Sequence, residues 1–196
     1  MAVEPGRSAR RERCTNETQI SVHVGLDDAG EVSIDTPVPF FTHMLEAMSF
    51  HGGFALSVRA RGDVEVDPHH LVEDVGLVVG DCLRAARGAA PVARFASALV
   101  PMDDALAEVV VDVGGRPYLH YEARYPQPVA GDFDVALVRE FLLALAMRAQ
   151  INVHATLRHG ANAHHMVEAL FKALGRALAA AYAPSRRAMS TKGRVG

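Results

Sequence analysis

The sequence His-His-Leu-Val-Glu occupies residues 69–73, and a very similar sequence, His-His-Met-Val-Glu, occupies residues 164–168. The second copy follows the first at an offset of 95 residues, and residues 140–142 (EFL) match residues 43–45 (HML) at an offset of 97. A repeat at this separation indicates a duplicated structural unit. We therefore predict two similar α+β halves, each a small, mostly antiparallel sheet with helices packed on one face.

The apolar pattern around the two copies predicts the order of strands and helices. Strands are expected at 18–26, 32–35, 54–60, 64–66, 96–100, 107–113, 117–122 and 151–159, and helices at 40–50, 68–86, 134–149 and 162–181. The turn at 27–30 would join the first two strands as a hairpin. The chain would then comprise a flexible tail at 1–13, half-repeats at 14–91 and 92–184 in one compact domain, and a C-terminal substrate-binding tail at 185–196.

Composition excludes several functional classes. The net charge of -3 argues against a nucleic-acid-binding protein, which usually carries a basic excess. No apolar run approaches the roughly 20 residues that span a bilayer, and residues 1–13 are not followed by the apolar segment of a secretion signal. Cys14 and Cys82 lie far apart without a CxxC spacing, which favours a reducing cytoplasm over a disulfide framework.

The paired histidines indicate a metal-binding site. Adjacent residues on a helix project about 100° apart, so each pair is better suited to two metal ions than to one. Imidazole with carboxylate suits Mn, Fe, Zn or Ni. A solvated helix start is the alternative for a single copy, but two matching copies favour metal binding. With His43 and Glu140 added by the repeat, each half offers four ligands: His43, His69, His70 and Glu73 in one, and Glu140, His164, His165 and Glu168 in the other.

Other catalytic motifs are absent, and the basic residues suggest anion binding. The sequence contains no HExxH, GxSxG, P-loop or GxGxxG motif, which weakens the metalloprotease, serine hydrolase and nucleotide-binding interpretations. Arg116 stands between a glycine and a proline, where a rigid turn would aim its side chain. The candidates for binding a phosphate are Arg94, Arg116, Lys172 and Lys192, the last within a Ser190-Thr191-Lys192-Gly193 segment.

An ordered series of motifs runs from about Arg13 to Gly193. Its members are RxTxET at 13–18, FFTHML at 40–45 with HG at 51–52, DxHHxxED at 67–74, PMDDAL at 101–106, GRP at 115–117, GxNxHHxxEA at 160–169, FKA at 171–173 and STKG at 190–193. One such motif would be weak evidence, but the complete series in this order is highly specific. The chain resembles the imidazoleglycerol-phosphate dehydratase family in all of these motifs.

The resemblance implies a fold like ribosomal protein S5 domain 2 and the dehydration of imidazole glycerol phosphate to imidazole acetol phosphate in histidine biosynthesis. It also implies a cytoplasmic 24-subunit shell with two Mn(II) ions per active site, built at subunit interfaces. The implied metal ligands are His43, His69, His70, Glu73, His164, His165 and Glu168. The implied substrate contacts are Glu17, Arg94, Arg116, Lys172, Ser190 and Lys192, chiefly at the phosphate.

The acid–base residues and some metal ligands remain open at this point. Proton transfer is expected from Glu17, or from one of the ligand glutamates Glu73 and Glu168. The family often has histidine where Glu140 stands, so this glutamate, His154 or water could complete the site. Leu71 and Thr42 replace the usual threonine and aspartate. Two other functions compete with the dehydratase: a metal-dependent phosphohydrolase, and a non-catalytic metal-holding shell or degenerate paralogue.

Overall fold

The computed structural model describes residues 6–27 and 30–186. Within these ranges the strands are β1 (Ser8–Cys14), β2 (Thr18–Gly25), β3 (Val32–Asp35), β4 (Ala55–Gly62), β5 (Phe95–Met102), β6 (Ala105–Asp112), β7 (Tyr118–Glu122), β8 (Val129–Ala130), β9 (Phe133–Asp134) and β10 (Asn152–His159). The helices are α1 (Pro39–Gly52), α2 (His69–Arg87), α3 (Leu137–Ala149) and α4 (Ala163–Tyr182). No helix in the described ranges is long and apolar enough to span a membrane.

The two halves contain sheets of the same topology. The first sheet has the order β1-β2-β4-β3 and the second β5-β6-β10-β7. In each sheet the first two pairings are antiparallel and the last is parallel, namely β3 with β4 and β7 with β10. The predicted duplication and the mostly antiparallel sheets are therefore confirmed. The predicted hairpin between β2 and β3 is wrong, because β4 lies between them.

Alternation along the central strands directs one face of each sheet inward. In β2, Ile20, Val22 and Val24 are buried while the residues between them are partly exposed, and Ala107 to Val111 in β6 repeat the pattern. Helix α2 packs on the buried face of the first sheet, and α4 packs on that of the second. The helices also pack on each other, α2 with α3 and α1 with α4. The helices thus lie between two outer sheets, and the apolar side chains form one continuous core.

The packing of α1 on α4 joins elements from different halves. Helix α1 belongs to the first half in sequence, yet its packing partner belongs to the second.

The two offsets of the repeat also have a structural explanation. Strand β10 begins at 152 and β4 at 55, a separation of 97, whereas the connection to the next helix is longer at 63–68 than at 160–162. The second connection is three residues shorter, but α4 begins one residue before its first histidine, whereas α2 begins at its first histidine. The offset at the paired histidines is therefore reduced by two, to 95.

Two predicted local features are wrong, and one pair of short strands was not predicted. Residues 8–13 are not part of a flexible tail but belong to β1, an edge strand paired with β2 in antiparallel register. Residues 64–66 form a turn instead of a strand. The two-residue strands β8 and β9 were not predicted, because segments this short carry no periodic signal. Residues 1–5, 28–29 and 187–196 lie outside the described ranges.

Candidate active site

Both paired-histidine motifs lie in the first turn of a long helix. At the start of α4, the Asn162 side chain accepts a hydrogen bond from the His164 backbone N–H at 2.9 Å. At the start of α2, the Asp67 carboxylate accepts a hydrogen bond from the His69 backbone N–H at 2.6 Å. Such side-chain acceptors satisfy the free N–H groups at a helix start. Each helix therefore begins at a fixed residue, which sets the direction of the histidines that follow.

The adjacent imidazole rings diverge, as predicted. The ring centroids of His69 and His70 lie 6.1 Å apart at an interplanar angle of 88°, and those of His164 and His165 lie 6.1 Å apart at 79°. The first ring of each pair turns towards the glutamate four residues later. His164 Nε2 lies 3.1 Å from Glu168 Oε2, and the corresponding distance from His69 to Glu73 is 3.6 Å.

A third ligand-type residue joins the pair on α4. His43 Nε2, on α1, lies 3.4 Å from Glu168 Oε2. Potential ligand atoms of His43, His164 and Glu168 all lie within 4.8 Å of one another, a spacing that suits a shared cation. We call these three residues the α4 cluster. His43 was predicted to join the ligands of its own half, and the packing of α1 on α4 corrects this prediction.

Glu168 is the centre of the α4 cluster. Its side chain is only 9% exposed, and Lys172 Nζ lies 2.8 Å from its Oε1. Burial alone would raise the pKa of Glu168, but the hydrogen bond and charge of Lys172, with the contribution of His43, hold that pKa below its ordinary value. Glu168 is therefore ionised at neutral pH, with Oε1 bound to the ammonium group and Oε2 facing two imidazoles.

The second histidine of each pair is oriented by an aspartate. His70 Nδ1 lies 3.1 Å from Asp63 Oδ2, and His165 Nδ1 lies 2.6 Å from Asp104 Oδ1. These hydrogen bonds raise the pKa of both histidines, and the bond from His165 lowers the pKa of Asp104 to about 2. With Nδ1 engaged by a carboxylate, Nε2 remains the ligand atom, an arrangement usual for metal-binding histidines.

Glu17 lies beside His70 at the start of α2. Its carboxylate is 3.9 Å from His70 Nδ1 and is about half exposed. The turn that carries it is rigid, because Thr15 Oγ1 accepts hydrogen bonds from the backbone N–H groups of Glu17 and Thr18. The buried carboxylate of Asp74 in turn accepts a hydrogen bond from the Thr18 hydroxyl. The turn is thereby tied to α2.

The predicted cationic residues are spread over the structure. Lys172 borders a cavity of about 360 Å³ that is also lined by His43 and Glu168. Arg94 is paired with Asp112 at 2.8 Å, and Arg116 is exposed on the turn before β7. Ser190 and Lys192 lie outside the described residues. Phosphate binding by these residues stays a prediction.

Glu140 occupies the first turn of α3, where its Oε1 lies 2.9 Å from Arg139. Within the described residues, it does not form a ligand cluster with His69 and Glu73 like the one around Glu168. His154, the alternative ligand, is on β10 and contacts Asn152 and His120, so it lies away from the helix starts.

Asp63 and Asp104 were not among the predicted functional residues. Both stand in turns next to strands, where a carboxylate is usually solvated, and only their contacts to His70 and His165 reveal their role. Leu71 and Thr42 stand where the family usually has threonine and aspartate. Leu71 is buried in the core, and Thr42 shares a hydrogen bond with Thr36 at 2.9 Å.

Comparison with known proteins shows the same family at every level. Residues 36–178 match the family model described as imidazoleglycerol-phosphate dehydratase. The protein of that name from Bacillus velezensis is 50% identical over 88% of this chain and 89% of its own length. The one from Geobacter metallireducens is 48% identical over 96% of this chain and 99% of its own length.

Two solved structures agree with these matches. The imidazoleglycerol-phosphate dehydratase of Staphylococcus aureus superposes with a TM-score of 0.82 at 37% identity over 91% of this chain and 99% of its own. The Pyrococcus furiosus structure gives a TM-score of 0.83 at 38% identity over 93% and 99%.

The duplicated fold, the helix-start cluster and these relatives together define the chain as a dehydratase, a hydro-lyase. It belongs to the imidazoleglycerol-phosphate dehydratase family. The resemblance noted in the sequence is thereby confirmed, together with the fold class.

Proposed function

We propose that this protein removes water from imidazole glycerol phosphate to give imidazole acetol phosphate, in histidine biosynthesis, with the help of divalent metal ions. Family membership supports the reaction. The observation that carries the metal dependence is the α4 cluster, in which two imidazoles and an ionised carboxylate converge. This donor set fits a first-row divalent cation.

The ligands proposed for two metal ions are the helix-start residues and the residues that the repeat adds: His43, His69, His70, Glu73, Glu140, His164, His165 and Glu168. When bound, the metal ions supply Lewis-acid chemistry, drawing charge from the substrate's imidazole ring and raising the acidity of the adjacent C–H bond. Asp63 and Asp104 orient the second histidine of each pair through Nδ1. Lys172 holds one oxygen of Glu168 and so keeps the other directed at the imidazoles.

Glu17 is proposed as the group that moves the proton, with Glu73 and Glu168 as further candidates. The carboxylate of Glu17 is accessible and stands on a rigid turn beside His70, where it can reach a substrate without being a ligand. Arg94, Arg116, Lys172, Ser190 and Lys192 are proposed to bind the substrate phosphate. Binding the phosphate fixes the orientation of the reacting carbon relative to Glu17.

Mn(II), two ions per active site and a 24-subunit shell in the cytoplasm complete the proposal. Mn(II) accepts both imidazole and carboxylate ligands. Assembly is supported by the outer face of the second sheet, which exposes Phe95, Leu99, Val110 and Tyr118 in this chain. Active sites at subunit interfaces would bring the paired histidines of α2 in one protomer to those of α4 in another.

The reaction is tested by following imidazole acetol phosphate and inorganic phosphate separately, with the purified assembled protein. We expect only the dehydration product, and we expect dialysis against a chelator to lower the rate at least about tenfold until Mn(II) is restored. Release of inorganic phosphate would instead support the phosphohydrolase. A metal-loaded assembly without turnover would support the non-catalytic shell, and full activity after metal removal would refute the metal dependence.

The replacement Glu17→Gln tests the proton path. It preserves size and removes the base, so we expect kcat to fall about a hundredfold, the lower end of the range for general acid–base catalysis. Metal content and assembly should not change, because Glu17 is not a proposed ligand. Glu65→Gln makes the same change at an exposed turn nearby and should keep wild-type activity. An unchanged kcat in Glu17→Gln would remove Glu17 from the mechanism.

A further inference from the structure

The duplication places Glu140 relative to Glu73 as His43 is placed relative to Glu168. A Cβ atom added at Gly175 on α4 would overlap the carbonyl oxygen of Met48 on α1, and one added at Gly80 on α2 would meet that of Leu145 on α3 at 2.7 Å. Gly175 follows Gly80 at the offset of 95 residues that also separates Glu168 from Glu73. Leu145 follows Met48 at the offset of 97 residues that also separates Glu140 from His43. The helix pair α2–α3 therefore repeats the crossing of α1–α4.

This correspondence isolates one chemical difference between the two proposed metal sites. The first histidines, second histidines and ligand glutamates are identical in type in the two motifs. The remaining ligand position is filled by the imidazole of His43 in the α4 cluster and by the carboxylate of Glu140 in the other half. Helix α3 carries no histidine that could replace it. We call the proposed site around His69, Glu73 and Glu140 the α2 site, and the proposed site at the α4 cluster the α4 site. The α2 site therefore has one more carboxylate and one fewer imidazole than the α4 site.

The two arrangements also differ in the present structure. The α4 cluster is already assembled, whereas Glu140 is directed to Arg139, with its side chain 28% exposed. The exposed pair with Arg139 is a weak interaction that a divalent cation can displace.

We propose that the two sites select different metals, and that Glu140 is the residue responsible. The α4 site, richer in imidazole, favours ions such as Zn²⁺ and Ni²⁺, whereas the α2 site, richer in carboxylate, favours Mn²⁺ or Mg²⁺. This inference rests on the proposed function, because it assumes that both sites hold a cation. It assigns the difference to one side chain and not to the surrounding fold.

Calorimetric titration of the chelator-treated, assembled protein tests the inference, with metal content per chain measured after dialysis. With Zn²⁺ we expect two binding phases whose affinities differ about tenfold or more, and with Mn²⁺ a smaller difference. Glu140→His should raise the affinity of the weaker Zn²⁺ phase about tenfold, so that the two phases merge. His43→Glu should weaken the stronger phase by a similar factor.

His43 is exposed and Glu140 is partly exposed, and both stand near a helix start, so the fold should tolerate the two variants. Glu31→Gln, at an exposed position, serves as a control that leaves both phases unchanged. Two equal Zn²⁺ sites in the wild type, or a weaker phase unaltered by Glu140→His, would overturn the inference while leaving the proposed function intact. Absence of any metal binding would contradict the proposed function itself.

Discussion

Replacing Glu168 with glutamine is expected to lower kcat by about three orders of magnitude. A bound metal ion contributes several kcal/mol of transition-state stabilisation, and each 1.36 kcal/mol corresponds to about tenfold in rate. The amide keeps the shape of the side chain but loses the charge that faces His43 and His164 and binds Lys172. The replacement would leave two imidazoles beside an ammonium group, a poor environment for a cation.

Metal content and turnover should be measured on the same Glu168→Gln preparation. We expect the α4 cluster to lose its ion while the other proposed site remains loaded, so the metal per chain should fall by about half. Glu31→Gln removes an equivalent charge at an exposed position and should retain both activity and metal. Wild-type kcat in Glu168→Gln, with full metal content, would show that this carboxylate is not a ligand.

Much of the fold could be predicted because burial leaves a periodic pattern. Ile20, Val22 and Val24 alternate with partly exposed residues since only one face of β2 meets the helices. Strand β1 was missed for the same reason: Ser8–Cys14 is an edge strand whose side chains are almost all exposed, so no alternation marks it. Short strands β8 and β9 likewise have no repeat to detect.

The candidate site could be predicted in its ligands but not in its assembly. Two His-His-x-x-Glu copies indicate metal binding from residue type and spacing alone. That His43 meets Glu168 depends on α1 packing against a helix of the other half, which no local pattern reveals. Asp63 and Asp104 were missed because a turn carboxylate is ordinarily solvated, and only tertiary contacts direct them to histidines.

Gly175→Ala is expected to destabilise the fold by more than about 3 kcal/mol, beyond the usual cost of overpacking. The added methyl group would lie 1.9 Å from the carbonyl oxygen of Met48, so α1 and α4 would have to separate. Gly80→Ala should destabilise the fold less, because its methyl group would lie 2.7 Å from the carbonyl oxygen of Leu145, a longer approach than the one at Gly175. Gly6→Ala is the control: its methyl group would lie 3.7 Å from Asp27, an ordinary contact, and should change stability by at most about 0.5 kcal/mol.

Urea unfolding at one fixed protein concentration should rank the variants, because subunit association contributes to apparent stability. We expect the midpoint to fall most for Gly175→Ala, less for Gly80→Ala and hardly at all for Gly6→Ala. If some Gly175→Ala protein folds, separation of α1 from α4 should lengthen the 3.4 Å approach of His43 to Glu168 and weaken metal binding there. Equal midpoints for Gly175→Ala and the wild type would show that the two helices are not in backbone contact, and the assembly of the α4 cluster would then need another explanation.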